Sequence, residues 1–396
     1  MITVLGRQYH FQKRRWAIII GLIDALGTFL FSLLGRNIEP MNVRKILVSR
    51  IDHLGDVLLA TCALPHLKRA YPDAKIDFLI GEWAKDLLVN NPYVNETITY
   101  NSFLHNRSGS LWHRIRSDAI SFLNAFKKIR KERYDLSIDL RAYFINSIPL
   151  LYLSGVEYIV GYGTGGFGFL LDKEVLYRTG IHEVLHIADL IKSIGVDVKD
   201  EEIRPLYKIS ILGEERAKSL LKSEHIQSGE SFILIHPGTS DKKKEWNIQG
   251  WKTIINDLKQ SGVKIVLCGG SNDIHIVKAI LSEGSQNGIV NITSPLPLEV
   301  FAGVVKRASL VIGLDSFPCH LAAALGTPTV VLWSGINDPV QWRPYGNNVE
   351  IVRKDLSCAP CYRSKGCEQI ICMDINPEEV LEKARLQLRN KTRSLY

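Results

Sequence analysis

The feature that most constrains this chain is an alternation of short β-branched runs with helical stretches, which occurs twice along the sequence. The strand-like runs of the first half are KILVSRI, KIDFLIG, TITY and YDLSIDL, and those of the second half are SFILIHPG, KIVLCGG, LVIGLDS and TPTVVLWSG. Such alternation is typical of parallel sheets whose strands are connected by crossover helices. The sequence therefore predicts an α/β protein with two doubly wound, Rossmann-like domains.

Length and charge patterning divide the chain into three segments. The 396 residues exceed what one ordinary hydrophobic core contains, which favours two domains. A polar stretch, Val198–Arg204, and a charged run, Gly213–Gly229, separate the two alternating halves. We predict a leader at residues 1–40, an N-terminal domain at 41–205 and a C-terminal domain at 206–396. Ligands of doubly wound sheets bind beyond the carboxyl ends of strands, so the turns there are the candidate sites.

The leader contains an apolar run, Trp16–Leu34, that follows three basic residues at 13–15. Its polar residues Asp24, Thr28 and Ser32 recur every four positions, so a helix would gather them into one stripe opposite a broad apolar face. We predict that this helix lies in the interface of an anionic membrane surface, with the chain peripheral or monotopic. A helix docked on the protein's own core is the alternative, and a helix that spans the membrane is the third reading.

The net charge of the chain indicates which classes of binding partner to expect. A net charge of +8 predicts anionic partners such as phosphates or acidic lipid. Nucleic acid is not expected, because the sequence has no zinc-finger spacing, no aromatic ribonucleoprotein signature and no long basic arm.

Four of the seven cysteines crowd together near the C-terminus, at Cys358, Cys361, Cys367 and Cys372. This spacing can hold a structural zinc ion, although it is not one of the common finger patterns. Disulfides and free thiols are the alternatives. A structural role is favoured over a catalytic one.

The first candidate site follows the first strand, in the segment Arg50-Ile-Asp-His-Leu-Gly-Asp56. Asp56 is predicted at or just inside the start of a helix. A carboxylate in that position can act as general base on a substrate hydroxyl. From spacing alone, capping of the helix N-terminus explains it equally well.

Two further candidate sites follow strands of the second half. The segment His236–Trp246 combines a Pro-Gly turn with hydroxyls and three lysines, which suits a phosphate, the alternative being a solvated basic loop. The segment Gly313–His320 leads a strand into a helix whose N-terminus suits a pyrophosphate, with Asp315 orienting the donors or capping the helix. The sequence has no Asp-x-Asp, no P-loop and no Gly-x-Ser-x-Gly, so lysine, arginine and helix N-termini would have to stabilise a leaving pyrophosphate.

In this order the three segments resemble glycosyltransferase family nine, the bacterial heptosyltransferases. The motifs that carry the resemblance are Gly55-Asp56-Val-Leu-Leu-Ala-Thr61, His236-Pro-Gly238 with Lys244-Glu-Trp246, and Asp315-Ser-x-x-x-His320-Leu-Ala-Ala-Ala-Leu-Gly-Thr-Pro-Thr329 continuing to Asp338-Pro339. The likeness covers roughly residues 43–390, and the motifs are specific in combination. It implies a GT-B architecture, in which two Rossmann-like domains face a cleft, with a lipid-linked acceptor on the N-terminal domain and a nucleotide sugar on the C-terminal domain.

The resemblance also implies an inverting, metal-independent transfer that needs no cofactor. Its donor would be ADP-heptose and its acceptor a lipopolysaccharide-type or related glycan. The leader, together with the need for nucleotide sugars, predicts a location at the cytoplasmic face of the inner membrane. Asp56 would be the catalytic base, and Arg50 the family's basic strand residue at the acceptor or a phosphate. Acceptor recognition is expected in loops such as 101–114 and 161–169, the second a glycine-rich candidate lid. The implied donor-binding residues are Thr239, Lys244, Asp273, Asp315, Ser316 and His320.

One departure from the family pattern leaves alternatives open. The family usually has glycine directly after the Asp-Ser pair, where this chain has Phe317. A side chain there can crowd the sugar or require a φ that phenylalanine tolerates poorly. The alternatives are a nucleotide-sugar epimerase of the same architecture, and a membrane-bound nucleotide-sugar-binding protein that has lost catalysis, with Phe317 as the lesion.

Overall fold

The computed structural model describes residues 1–11, 14–31, 42–102, 110–143, 146–282, 288–362, 367 and 369–393. The chain divides into two compact units, Met1–Pro205 and Leu206–Tyr396. Each unit contains one six-stranded sheet, and the N-terminal unit also has a two-stranded hairpin. Every pairing within the two large sheets is parallel, as the alternating sequence predicts.

The N-terminal unit begins with the hairpin and then builds its parallel sheet in the order β5-β4-β3-β6-β7-β8. Its strands are β1 (Ile2–Val4), β2 (Arg7–Tyr9), β3 (Lys45–Ser49), β4 (Lys75–Ile80), β5 (Glu96–Thr99), β6 (Leu136–Asp139), β7 (Tyr158–Gly161) and β8 (Lys173–Glu174). Its helices are α1 (Arg14–Phe31), α2 (Leu54–Ala60), α3 (Leu64–Ala70), α4 (Lys85–Leu88), α5 (Leu111–Glu132), α6 (Ile148–Leu153) and α7 (Glu183–Ser193). The direction of winding reverses between β3 and β6, which makes the carboxyl ends of these two strands the expected ligand position.

The C-terminal unit repeats the design with a sheet in the order β11-β10-β9-β12-β13-β14. Its strands are β9 (Phe232–His236), β10 (Lys264–Leu267), β11 (Ile289–Asn291), β12 (Leu310–Leu314), β13 (Thr329–Leu332) and β14 (Val349–Val352). Its helices are α8 (Ile211–Ser223), α9 (Ile248–Gln260), α10 (Ile274–Leu281), α11 (Leu298–Arg307), α12 (Phe317–Ala324), α13 (Pro339–Trp342) and α14 (Pro377–Arg393). Here the winding reverses between β9 and β12.

The central strands are buried because helices cover both faces of each sheet. Ile46, Leu47 and Val48 of β3 are fully buried in succession, as are Ile233 and Leu234 of β9. Strands buried on both faces are apolar at every position rather than at alternate positions. This explains why the runs KILVS and FILIH are recognisable in the sequence.

The helical stretch predicted after the first strand is interrupted. A 3-10 turn at Thr61–Ala63 separates α2 from α3. Pro65, in the first turn of α3, has no N–H to continue a hydrogen-bonded ladder from α2. The Thr61 hydroxyl donates to the Leu58 carbonyl at 2.6 Å, which satisfies one carbonyl at the end of α2.

The described part of the leader forms α1, which packs against its own unit through one face. The residues buried on this face are Ala17, Ile20, Gly21, Asp24 and Gly27. Thr28 is exposed, contrary to the predicted stripe, because residues four apart on an α-helix drift by about 40°. Ser32 lies outside the described residues. Among the helices that the structure describes, none combines the length and apolarity required to cross a membrane.

Candidate functional site

The first candidate site lies at the carboxyl ends of β3 and β6, where the N-terminal sheet reverses direction. Arg50 directly follows β3 and is fully buried, and its Nη2 lies 3.4 Å from Oδ1 of Asp56. Asp56 is the third residue of α2, whose N-cap is His53, so it does not cap this helix. Its side chain is 17% exposed, which leaves the carboxylate accessible from one side.

Two carboxylates besides Asp56, those of Glu183 and Asp52, contact Arg50. Its Nη1 donates to Oε1 of Glu183 at 2.8 Å and also to the Leu140 carbonyl. Its Nε lies 3.5 Å from Oδ2 of Asp52, and that carboxylate accepts a hydrogen bond from Arg141. The arginine is therefore fixed on several sides by groups from separate parts of the chain, and it presents a fixed positive charge to Asp56.

The surroundings shift the pKa values of Asp56 and Glu183 in opposite directions. Burial, reinforced by the charge of Asp52, raises the pKa of Asp56 to about 7 despite the opposing charge of Arg50. Burial would also raise the pKa of Glu183, but Arg50 and His186 overcome it and lower the pKa to about 2. Glu183 is therefore a permanent counter-ion, whereas Asp56 can exchange a proton near neutral pH.

Sequence reasoning missed the groups that hold Arg50. Glu183 is the first residue of α7, more than a hundred residues away along the chain, and His186 bonds it from the next turn at 3.2 Å. No local sequence pattern indicates that Glu183 and His186 belong to this site. Asp52 and Arg141 could have been found, because each lies just after the end of a central strand, β3 and β6 respectively.

The glycine-rich loop predicted for the acceptor is folded into 3-10 helices at Gly163–Gly165 and Gly168–Leu170. The Thr164 carbonyl accepts from the His10 N–H at 2.9 Å, and Nδ2 of Asn146 donates to the Gly166 carbonyl at 2.9 Å. The loop is thus secured by neighbouring segments of the same unit. In the other predicted acceptor loop, residues 103–109 lie outside the described residues.

The second candidate site lies at the carboxyl ends of β9 and β10 in the C-terminal unit. Nε2 of His236 is 3.7 Å from Oδ2 of Asp273, and the same carboxylate accepts from the Gly270 N–H at 2.8 Å. A Cβ added at Gly238 would come within 2.0 Å of Oδ1 of Asp273. Glycine is therefore required in the Pro-Gly turn so that the aspartate can pack directly against the backbone.

The third candidate site lies at the carboxyl end of β12 and is joined to the basic loop after β9. Nζ of Lys244 is 2.6 Å from Oδ2 of Asp315, and Nδ2 of Asn337 donates to the same oxygen at 3.0 Å. The lysine side chain is 15% exposed and the aspartate 6%. Asn337, which sequence reasoning missed, follows β13 and gives no motif of its own.

The turn into α12 carries the remaining predicted donor residues. Ser316 is the N-cap position of α12, and its hydroxyl donates to the Leu314 carbonyl at 3.2 Å. Phe317 is the first helical residue and has no left-handed φ, so the backbone strain considered from the sequence does not arise. Burial lowers the pKa of His320 to about 4, and its Nδ1 has no hydrogen-bond partner among the described residues. The Thr239 hydroxyl accepts from the Asp241 N–H at 3.4 Å.

The cysteine cluster does not form a metal site within the described residues. Cys358 and Cys367 are exposed, and Cys361 and Cys372 are partly buried. In the part of the chain that the structure describes, no group of three or more His, Cys, Asp or Glu side chains is arranged to hold a metal ion. Residues 363–366 and 368, which lie inside the cluster, are outside the described residues, and the zinc site stays a prediction.

Comparison with known proteins gives a consistent result. The sequence profile of glycosyltransferase family 9 (heptosyltransferase) matches residues 122–371. Lipopolysaccharide heptosyltransferase 3 of Escherichia coli is 25% identical over 300 residues, which is 74% of this chain and 84% of that protein. A glycosyltransferase of family 9 from Veillonella parvula DSM 2008 has a similar structure, with a TM-score of 0.76 at 20% identity over 89% of this chain and 100% of that one. The E. coli ADP-heptose lps heptosyltransferase II gives a TM-score of 0.69 at 21% identity over 88% of this chain and 99% of that one.

These matches confirm the predicted fold class, two Rossmann-like domains of the GT-B type. The family profile covers more than half of the chain and includes the Lys244 and Asp315 segments. The chain therefore belongs to glycosyltransferase family 9, the heptosyltransferase family, and is a glycosyltransferase.

Proposed function

We propose that this enzyme transfers heptose from ADP-heptose to a lipopolysaccharide-type, lipid-linked glycan, with inversion at the anomeric carbon and without a metal ion. The family supports sugar transfer, and the relatives described as lipopolysaccharide heptosyltransferases support the sugar and the acceptor. The observation that carries the proposal is Asp56, a carboxylate at the sheet reversal whose pKa is raised to about 7 and which contacts a buried arginine.

Asp56 is the general base of the proposed reaction. Burial and the charge of Asp52 raise its proton affinity, so it can accept the proton of an acceptor hydroxyl near neutral pH. The deprotonated oxygen attacks the anomeric carbon, and the bond from that carbon to the ADP oxygen breaks in the same step. A single displacement of this kind inverts the configuration. Arg50, held by Glu183, positions the Asp56 carboxylate.

The C-terminal unit holds the donor and stabilises the charge on the leaving ADP. Lys244 supplies an ammonium group at the end of the sheet, and the N-terminus of α12 supplies backbone N–H groups and positive dipole. Thr239, Ser316 and Nδ1 of His320, which has no hydrogen-bond partner among the residues the structure describes, are additional contacts to the donor. Asp273 binds the nucleoside ribose. Lys244 and the N-terminus of α12 can stabilise the leaving diphosphate without a metal ion, and this supports a metal-independent reaction.

The experiment is a release assay with purified protein. Several nucleotide sugars are incubated with and without a lipopolysaccharide-core acceptor, each with and without EDTA, and the released nucleoside diphosphate is quantified. We expect release from ADP-heptose only when the acceptor is present, and no effect of EDTA. Release from a different donor, or loss of release with EDTA, would overturn the donor or the metal-independence part of the proposal.

The same assay separates the two alternatives. An epimerase would convert the donor sugar without any acceptor, and an inactive binding protein would bind donor without releasing ADP. Asp56→Asn should bind ADP with wild-type affinity and lose about 10²–10⁴-fold in turnover, the usual contribution of a general base. The matched control is Asp73→Asn on the exposed surface of the same unit, which should leave turnover unchanged.

A further inference from the structure

Helix α1 turns mostly small residues and its one acidic residue inward, and most of its large apolar side chains outward. Apolar side chains on its outer face are between 41% and 67% exposed. They are Trp16, Ile18, Ile19, Leu22, Ile23, Leu26, Phe29 and Leu30. A helix on the surface of a water-soluble domain normally has the opposite arrangement. The outer face of α1 therefore requires an apolar environment that the described residues of the N-terminal unit do not supply.

The inward orientation of α1 is fixed by hydrogen bonds rather than by apolar packing alone. The Tyr9 hydroxyl donates to Oδ2 of Asp24 at 2.9 Å, and the Phe167 N–H donates to Oδ1 at 2.7 Å. Gly27 is equally constrained, because a Cβ there would come within 2.6 Å of the Phe169 ring. Rotating α1 so that its apolar face packs on the protein would break both hydrogen bonds to the Asp24 carboxylate. It would also turn the small residues of the inner face towards water.

The shape of the outer face indicates what covers it. At about 100° per residue, the eight exposed side chains occupy an arc of roughly 160°. A helix seam between two copies of the chain is narrower, about two positions in seven, and uses small residues for close approach. Of the small residues of α1, Ala17, Gly21 and Gly27 face inward, and the exposed Ala25 and Thr28 lie outside the arc. A broad convex arc of large side chains instead suits a fluid apolar phase.

The charges on α1 indicate a lipid surface of one sign. Arg14 and Arg15 are exposed at its first turn, and the Arg15 guanidinium lies 5.9 Å from the Trp16 ring centroid. Asp24, its one acidic residue, is 1% exposed and faces inward. Basic side chains beside a tryptophan at the edge of an apolar face are the groups that meet anionic headgroups.

The apolar surface continues beyond α1 onto neighbouring elements of the same unit. The Phe31 ring contacts the Tyr152 ring at 5.6 Å and the Phe169 ring at 5.2 Å between centroids. Tyr152 and Leu153 of α6 are 42% and 55% exposed. The glycine-rich loop at 161–169, which is predicted to contact the acceptor, also contacts α1. The Phe167 N–H of this loop donates a hydrogen bond to Asp24 on the inner face of the helix.

We propose that α1 docks this glycosyltransferase on an anionic lipid monolayer, with the helix parallel to the surface and its outer arc among the acyl chains. The inner face stays on the protein, so the helix is not surrounded by lipid. Docking in this way would hold the loop at 161–169 beside the membrane, where a lipid-linked acceptor would lie. The docking itself does not depend on the identity of the donor or the acceptor.

The test is sedimentation of the full chain with vesicles of phosphatidylcholine, with or without phosphatidylglycerol. We expect binding to the anionic vesicles at least about tenfold tighter than to the neutral ones, since each basic residue near such a surface contributes about 1 kcal/mol. Leu22→Glu/Leu26→Glu should weaken binding to both vesicle types by at least about tenfold, because two apolar contacts with lipid are lost. Arg14→Gln/Arg15→Gln should remove the anionic preference.

The matched control is Leu176→Glu, which changes an 85% exposed leucine of the same unit but outside α1, and should bind as wild type does. Thermal melting and sedimentation velocity accompany each variant. The proposal would be overturned if the wild-type protein did not bind anionic vesicles. It would also be overturned if the double-leucine variant had the melting temperature of wild type and bound the vesicles equally well. A wild-type dimer that the double-leucine variant converts to monomer would overturn it too, because a second copy would then cover the face.

Discussion

The ammonium nitrogen of Lys244 lies 2.6 Å from the Asp315 carboxylate and so joins the basic loop after β9 to the turn before α12. Both side chains are largely buried, and Asn337 donates to the same carboxylate oxygen at 3.0 Å. The pair fixes the position of the Lys244 ammonium group at the reversal of the C-terminal sheet, and the two charges of the pair sum to zero. A long flexible side chain is thereby oriented before any ligand arrives, which lowers the entropy cost of binding.

Lys244→Ala should weaken the binding of ADP by about 10–100-fold, because a charge-assisted hydrogen bond of about 1.5–3 kcal/mol is lost. The measurement is calorimetric titration of the purified protein with ADP. Lys242→Ala is the control, since Lys242 belongs to the same basic loop but is exposed. Equal losses in the two variants would mean that the loop acts through its total charge and not through the paired lysine.

Gly238→Ala should weaken nucleotide binding through Asp273. A Cβ at position 238 would come within 2.0 Å of the Asp273 carboxylate and displace it, whereas a Cβ at Gly270 would stay 3.8 Å away. Gly270→Ala is therefore the matched control. We expect at least about a tenfold loss of ADP affinity in the first variant and less than about threefold in the second, given one displaced polar contact. Comparable affinities would remove Asp273 from the donor site.

The sequence supplied most of the fold because the central strands are buried on both faces. Runs such as KILVS and FILIH are apolar throughout, and the turns after them carry the chemistry. The strands missed are β1 and β2 of the hairpin and, in the large sheets, β7, β8, β11 and β14. β1, β2, β8 and β11 have two or three residues, which is too short for a periodic pattern to be recognised. β7 and β14 have four residues each, as do the predicted strands β10 and β13, so length does not explain these two.

The candidate sites were predictable to the same extent and for the same reason. Asp56, Lys244 and Asp315 follow strands and lie where the two sheets reverse, so position in the alternation indicated them. Glu183 and Asn337 contact these groups only through the tertiary fold, and no local pattern announces such a contact. The leader was predicted as an amphipathic helix, but its contacts with Tyr9 and Phe167 could not be read from periodicity.

The turnover of the wild-type enzyme should rise with pH and level off above about pH 7, because the base acts only when Asp56 has lost its proton. The same shift predicts a stability effect. Since the pKa of Asp56 is higher in the folded than in the unfolded chain, its ionisation lowers the free energy of unfolding as pH rises from about 4 to about 7. Asp56→Asn should therefore melt above wild type at pH 8, by about 2–4 °C per kcal/mol, and by a smaller margin at pH 5.

Thermal melting between pH 5 and pH 8 checks this expectation, with Asp73→Asn as the exposed control. A difference between Asp56→Asn and wild type that does not grow with pH would contradict the raised pKa.

Glu183→Gln should act on both stability and the pH profile. Removing one partner of a buried charge pair typically costs about 3–5 kcal/mol, and Arg50 is fully buried. Because the pKa of Glu183 is lowered to about 2, its stabilising effect is present above about pH 4 and is lost only as the pH falls further. The ionisation of Glu183 itself therefore adds no pH dependence to the stability between pH 5 and pH 8. Without this negative charge the pKa of Asp56 falls, and the rise in turnover moves to lower pH.

The matched control is Asp189→Asn, which changes a carboxylate on the same helix. Asp189 pairs with the more exposed Arg178, so this change should cost less than Glu183→Gln does. A pH profile of Glu183→Gln that coincides with that of wild type would reduce Glu183 to a purely structural residue.

Phe317→Gly tests whether the unusual residue after Asp-Ser has abolished catalysis. Phe317 begins α12 without a left-handed φ, so glycine relieves no backbone strain there and adds conformational entropy to the unfolded chain. We expect turnover within about threefold of wild type and a slightly lower melting temperature, since glycine in a helix costs about 0.5–1 kcal/mol.

Phe317→Ala makes the result specific, because it removes the ring but keeps the Cβ. If the ring crowds the sugar, both variants should gain turnover equally; if the backbone were the obstacle, only the glycine variant would gain. An increase of tenfold or more in either variant would favour a protein that had lost catalysis through Phe317. Unchanged turnover in both leaves Phe317 as a helix-starting residue that an active transferase tolerates.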